Sequence, residues 1–413
     1  MSRAAPTASK LHTFDALKNP QFRVLWLALL LSAVGTWMQI VTLSLLVLRL
    51  TDNSSTALGF VSLAQALTFI GCSLFGGSLA DRFDKRKLLL FTQTLLAITA
   101  ALLGFLTLTQ HIALWSIIVL SVVSSAVLSI DQPTRGALVP LLVPKELLTN
   151  AVALQAVAFS SAAAIGPALA GFLSGPLGLG GIFLLNAASF AGMLIALWRI
   201  QLSGRAAVRG GEGKPDFRKS LTEALEVIKQ DTFLPWIISG YGAVLFFGPS
   251  VSLILPIFAQ RQLHLSHVGL GWLFTAVGLG TVVGGLAVAS FRKLKQQGRV
   301  FLGATAVWVV SLIAFGFTHT LAMAMAALFV QGLALNVVQS VAISVMQGRV
   351  EERLRGRIMS VNTLLMMGVR PLGDFPAGAL AGVIGPGGVV WVGAGIVGLL
   401  TAWLGTRSKL PEL

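Results

Sequence analysis

Arg370 and Asp374 stand four residues apart in the stretch GVRPLGDFP, inside one of the most apolar parts of the chain. At that spacing two side chains share one face of a helix and can meet as a charge-assisted, hydrogen-bonded pair. A charge at bilayer depth costs about 2.5 to 3.5 kcal/mol even on lenient scales, so such residues are kept for cavities, ion pathways and proton relays. The chemistry on offer is reversible protonation: a carboxyl that takes a proton lets its arginine go, and one that loses it takes the arginine back. Asp52, Asp81, Asp84, Asp131 and Glu146 all read as lying at or beyond the membrane ends. Asp374 is therefore the expected proton site, with Arg370 as its partner. No catalytic residues are expected. The sequence holds no HExxH, no GxSxG elbow, no GxxxxGK[ST] loop and no Cys/His nucleophile arrangement, which argues against both an enzyme and an ATP-driven pump. His264 and His267 form an HxxH with no carboxylate nearby, too few ligands for a metal, and no cofactor is expected either.

Holding such a pair takes a membrane protein. Of 413 residues 55% are hydrophobic and 11% charged, with a mean hydropathy of +0.84, more apolar than a water-facing domain tolerates. A bilayer core of ~30 Å takes about 20 helical residues. On that measure the sequence predicts twelve spans, at 22–48, 57–80, 88–109, 112–130, 147–177, 180–200, 233–259, 265–291, 300–318, 321–347, 356–385 and 388–406. GPLGLGG and IGPGG supply only tight turns within the fifth-to-sixth and eleventh-to-twelfth hairpins, which suffices for antiparallel neighbours. The expected fold class is all-α integral membrane, with two pseudo-symmetric six-helix bundles. The first bundle covers residues 1–200 and the second 233–413, joined by a cytoplasmic linker at 201–232. Within the linker, Ser220 and Glu223 have capping-box spacing and Leu221, Leu225 and Ile228 share a face, which predicts a short amphipathic helix. The halves repeat: GGSLADRFDKRK (76–87) ends the second span and GGLAVASFRKLK (284–295) the eighth, while ALAG recurs at 168–171 and 379–382. Parallel six-helix repeats place a substrate site between the halves near the midplane. The one cysteine, Cys72, excludes a disulfide framework.

Of the 30 Lys and Arg, all but Arg49, Arg261 and Arg370 fall on the side of this topology that carries both termini. The positive-inside rule makes that side cytoplasmic. The net charge of +15 is thus spread over every inner loop, a topology signal instead of the single basic face that binds nucleic acid. The expected partners are membrane lipids, a small-molecule substrate and protons, with the chain acting as a monomer.

Several motifs carry a family resemblance. In GGSLADRFDKRK, residues Gly77, Asp81, Arg82, Lys85 and Arg86 fit the signature loop of the major facilitator superfamily, with Asp84 where its commonest form has glycine. The resemblance implies that Asp81 caps the eleventh helix and pairs with Lys85, which meets Asp131 at the end of the fourth helix. Such a latch favours the outward-open state. AAAIGPALAG resembles the antiporter signature of exporting members through Ala162, Gly166, Pro167 and Gly171, with Ala170 replacing a glycine. Small residues let helices approach closely, and Gly280 and Gly284 of the eighth span are the face expected to match them. DQPTRGALVPLLVPKELLTNAVALQ resembles the branch that includes enterobactin and macrolide exporters. The resemblance implies a bacterial plasma-membrane transporter that exports small amphipathic or lipophilic molecules by proton antiport and alternating access. A lysophospholipid mover of the same superfamily is the alternative. It also implies a cavity lined by the first, fourth, seventh and tenth helices, here Gln39, Ser124, Tyr241, Phe247, Asn336 and Gln339. One departure is that 117–130 contains no basic residue, whereas many proton-coupled exporters carry an arginine within the fourth helix.

Overall fold

A lipid core offers bare backbone no hydrogen-bond partner, so apolar stretches of this length must be helical or form a closed barrel. The computed structural model describes residues 14–200, 217–248, 251–290 and 296–413, without the side chains at 74–82, 145, 149, 217–221, 224, 251, 352 and 353. Every regular element among the described residues is helical. The first half contains α1 (Pro20–Leu50), α2 (Ser55–Arg82), α3 (Lys85–Leu108), α4 (Leu114–Leu142) and α5 (Leu148–Arg199). The linker contributes α6 (Phe217–Gln230). Then come α7 (Leu234–Phe247), α8 (Val251–Arg261), α9 (His267–Ser290), α10 (Gln297–Gly316), α11 (Leu321–Gly348), α12 (Glu352–Leu364) and α13 (Arg370–Arg407).

Two helices are too long to cross once. At 52 residues, α5 would run about 78 Å straight through a core of ~30 Å. Gly178 breaks it at φ 66, a backbone conformation glycine adopts at no steric cost. The arms then double back. The Trp26 indole N–H donates to Leu154 O of the first arm at 2.8 Å, while Arg86 donates to Leu197 O and Trp198 O at the far end of the second. Gly385, at φ 77, breaks α13 in the same way. With these breaks the ten long apolar stretches are compatible with twelve crossings.

Two further spans are interrupted. The seventh was expected to be continuous over 233–259, yet α7 ends at Phe247 and α8 begins at Val251. In the eleventh, a π-helical turn at Leu365–Val369 joins α12 to α13. The fourth span corrects the sequence reading: α4 continues to Leu142, so Asp131 and Arg135 lie inside a helix and not in a loop. The physical reason is that the two charges neutralise each other one turn apart, and Pro133 between them is exposed.

Within the first half α1 packs on both arms of α5, α3 on α5, and α2 on α4; within the second, α9 and α10 pack on α11, and α7 and α10 on α13. Contacts between the halves run mainly through α5 with α9 and α2 with α13. They are backbone-close: a Cβ on Gly171 would lie 2.3 Å from Gly271 Cα, and one on Gly378 2.5 Å from Ser55 O. These contacts cluster toward the ends that carry the α1–α2 loop and the Gly178 and Gly385 turns, so the halves are shut on that side. Arg261 adds a lock there, donating to Asn53 O of the first half and to Ala381 O of the second.

The linker helix is strapped to the second half. Glu223 pairs with Arg357, and Asp231 accepts from Phe233 N, Leu234 N and Arg349 Nε at 2.7, 2.9 and 3.0 Å. Burial works to raise the Asp231 carboxyl, but those backbone N–H groups and the Arg349 guanidinium outweigh it and hold it below the usual carboxylate range. The capping side chain expected of Ser220 lies outside the described residues.

Candidate functional site

Asp374 sits in the second turn of α13 and is 6% exposed. The helix it rides on is squeezed from two sides: a Cβ on Gly59 of α2 would meet Asp374 O at 3.1 Å, and one on Gly373 would meet Phe246 O of α7 at 2.0 Å. Arg370, one turn earlier and directly after the π turn, is half-buried and lines a small cleft with Trp308 of α10, Gln331 of α11 and Gly248 at the end of α7; among the described residues it forms no ion pair, so the expected pairing with Asp374 is corrected: the guanidinium lines the cleft instead. Wide turns of this kind recur at functional sites because the extra residue re-aims neighbouring side chains. The candidate proton site is thus where two interrupted elements, the broken seventh span and the π turn, meet the contact between α2 and α13.

The latch residues are only partly brought together. The side chains of Gly77, Asp81 and Arg82 lie outside the described residues. Asp84, the departure from the signature, caps α3 by accepting from Lys87 N at 2.9 Å. Arg86 closes the end of the α5 second arm, whose last carbonyls have no helical partner. Asp131 is fully buried and holds Thr92 Oγ1 at 2.7 Å and Gln93 Nε2 at 2.6 Å, and it pairs with Arg135. Among the described residues its ionic partner is therefore Arg135 of its own helix, where Lys85 was expected.

The antiporter-like stretch does make close contacts, but with different partners. Ala162 and Pro167 are buried, Gly166 lies against Val34 and Trp37 of α1, and Gly171 abuts Gly271 of α9. Gly280 and Gly284, expected to face α5, instead lie against Phe329 O and Leu333 O of α11. The α9 residues facing α5 are Gly271 and Gly278, the latter against Ala164. Spacing alone could not distinguish these two faces, since α9 is glycine-rich all round.

Of the expected cavity residues, Ser124 and Tyr241 are buried inside the halves. Ser124 donates to Thr99 at 3.0 Å and Tyr241 is 0% exposed among the apolar residues of α7, α10 and α11. Gln39 accepts from Asn186 Nδ2 at 2.7 Å. Half-buried Phe247 packs edge-on against Phe246, Asn336 accepts from Ser340 Oγ, and Gln339 reaches Met366 Sδ within the π turn at 3.2 Å. Sequence reasoning missed Trp308, Gln331 and Arg261. Nothing in their spacing marks them, because each matters through a neighbour distant in sequence.

A family model described as a transmembrane secretion effector matches residues 11–413. The chain belongs to that family, within the major facilitator superfamily. Macrolide efflux protein A of Streptococcus pyogenes is 21% identical over 350 residues, covering 82% of this chain and 85% of that protein. The enterobactin exporter EntS of Citrobacter koseri is 25% identical over 385 residues, covering 92% and 91%. The multidrug efflux pump Tap of Mycolicibacterium fortuitum is 24% identical over 383 residues, covering 89% and 90%. Among solved structures, the nucleoside transporter NupG superposes with a TM-score of 0.73 at 12% identity, over 92% of this chain and 97% of that one. A bacterial homologue of the iron transporter ferroportin in an inward-facing state gives 0.72 at 18% identity, over 94% and 99%. The secretion-effector chain is therefore a multi-pass membrane transporter of the superfamily fold.

Proposed function

We propose that the chain exports small amphipathic or lipophilic molecules in exchange for protons, by alternating access between residues 1–200 and 233–413 joined by the linker at 201–232. The observation that carries the reading is a buried carboxylate, Asp374, on a helix that also carries Arg370 and is pinned between α2 of one half and α7 of the other. A group so placed changes the energy of the contact between halves whenever it gains or loses a proton. Export is supported by the efflux proteins to which the chain is similar. On the reading that the basic side is cytoplasmic, the closed end described above is external, which supports a state that loads substrate from the cytoplasm. Outward-facing Asp374 takes a proton and releases Arg370; inward, it loses the proton as substrate loads. Everted vesicles given a proton gradient test this with a panel of a macrolide, a catecholate siderophore and lipophilic dyes. Accumulation of at least one compound that collapses on adding a protonophore is expected. Gradient-independent accumulation of every compound transported would overturn the coupling.

A further inference from the structure

The cleft beside Arg370 brings a guanidinium next to two buried polar side chains with unanswered hydrogen-bonding atoms. Its polar wall is Trp308, Gln331 and Arg370 and its apolar wall Val244, Leu245 and Leu335. Trp308 is 2% and Gln331 3% exposed. The Trp308 Nε1–H, which can only donate, and the Gln331 Oε1 both lack a partner among the described residues. Arg370, with five N–H donors, makes no hydrogen bond or ion pair with a described residue. Tyr241, one turn before Val244 and Leu245 on α7, has a buried and unpartnered hydroxyl within range of the Arg370 charge. An amide can be turned about its last torsion without changing its shape, so Gln331 can present N–H to the same space. The space itself, about 10 Å³ to the centres of water-sized molecules, admits one small group. Gly248 keeps it open on one side: a Cβ there would meet the Trp308 ring at 2.6 Å.

We infer that this cleft is a binding subsite for a single anionic group, either a free halide or the carboxylate of an amphipathic transported molecule. The Trp308 N–H is a buried donor left unanswered, and one acceptor in the cleft answers it together with the Arg370 guanidinium. A water molecule answers the donors but not the charge of Arg370 in a low-dielectric wall, whereas an anion answers both. Asp374, on the next turn of α13, has an interaction of its own and is the charged group through which occupancy would be felt by the proposed proton site. The carboxylate source deepens the export reading and rests on it; the halide source does not.

Melting of the purified full-length protein in detergent, at constant ionic strength, separates these possibilities, because a ligand of the native state raises the midpoint saturably. One arm titrates chloride and bromide against gluconate. The other titrates acetate, benzoate and decanoate. Saturable stabilisation in either arm is expected, with the half-saturating concentration about tenfold or more higher in Arg370→Gln, matching the loss of a charged hydrogen bond. Trp308→Phe, which keeps an aromatic ring and removes the N–H, should weaken binding in the same direction if Arg370→Gln does not fold. Stabilisation by halides alone assigns a free ion; affinity rising with the apolar length of the carboxylate assigns a substrate headgroup. No saturable shift in either arm, or the same shift in both variants, overturns the inference. Since the measurement needs no transport, it can fail while proton-coupled export stands, and the reverse.

Discussion

Replacing Arg261 by alanine should loosen the closed end of the molecule by an amount that can be worked out. Arg261 lies in the last turn of α8, where a cation is favoured by the helix dipole. Its guanidinium donates to Asn53 O across the boundary between halves and, at 3.4 Å, to Ala381 O within its own half. Only the first bond distinguishes closed from open. A hydrogen bond to a charged group is worth about 1.5 to 3 kcal/mol when buried, and this one is exposed, so about 1 kcal/mol is the appropriate scale. That corresponds to roughly a fivefold change in the ratio of open to closed states. Spin labels on the exposed Gln110 and His319, in the loops at the closed end of each half, report the separation by pulsed dipolar spectroscopy in a Cys72→Ser background. A longer-distance population growing about fivefold in Arg261→Ala is expected. An unchanged distance distribution would refute the claim that Arg261 holds the halves together.

Gly171→Ala puts a methyl 2.3 Å from Gly271 Cα, and overpacking of this kind costs about 1 to 3 kcal/mol; the same labels should separate at least as far as in Arg261→Ala. Asp131→Asn removes the charge facing Arg135, and breaking a buried pair costs about 3 to 5 kcal/mol. The melting midpoint should fall and partly recover in Asp131→Asn/Arg135→Gln, and a double variant no better than the single one would contradict the pairing. The linker strap should respond to acid only. Because the Asp231 carboxyl is held below its ordinary value of 3.8, its contribution is complete above that value and is lost as pH falls through the lowered one. Hydrogen exchange in α6 should therefore be flat from pH 5 to 8 on intrinsic-rate correction and rise only below about pH 4.

How far the sequence could be read depended on whether a feature was local. Apolar runs and positive-inside loops located the spans, and Gly178 and Gly385 sit in the GPLGLGG and IGPGG turns read as hairpin tips. The fourth span was cut short at residue 130 because Asp131, Gln132 and Arg135 look like loop residues one at a time; as an i, i+4 pair with Thr92 and Gln93 they are helix interior. The break of the seventh span at Gly248 was read through as one continuous helix, since the apolar run continues on both sides of it. Likewise the π turn at Leu365–Val369 has no sequence mark, and the choice between the Gly271/Gly278 and Gly280/Gly284 faces of α9 depended on which helix each met. The candidate site divides the same way. Arg370 and Asp374 stood out because charge is rare in an apolar run, while Trp308 and Gln331 gain meaning only from sharing a cleft with Arg370.

Proton-coupled exchange through this chain requires that Asp374 carry the proton. Purified protein reconstituted into liposomes with a pH-sensitive dye inside provides the direct measurement: a transported compound is added outside and lumenal pH is followed, for the native chain and Asp374→Asn, alongside substrate counterflow. Native protein should alkalinise the lumen as substrate enters and protons leave. Asp374→Asn should move no protons while keeping counterflow, since exchange of substrate for substrate needs no protonation. Proton movement undiminished in Asp374→Asn would mean that another group carries the proton.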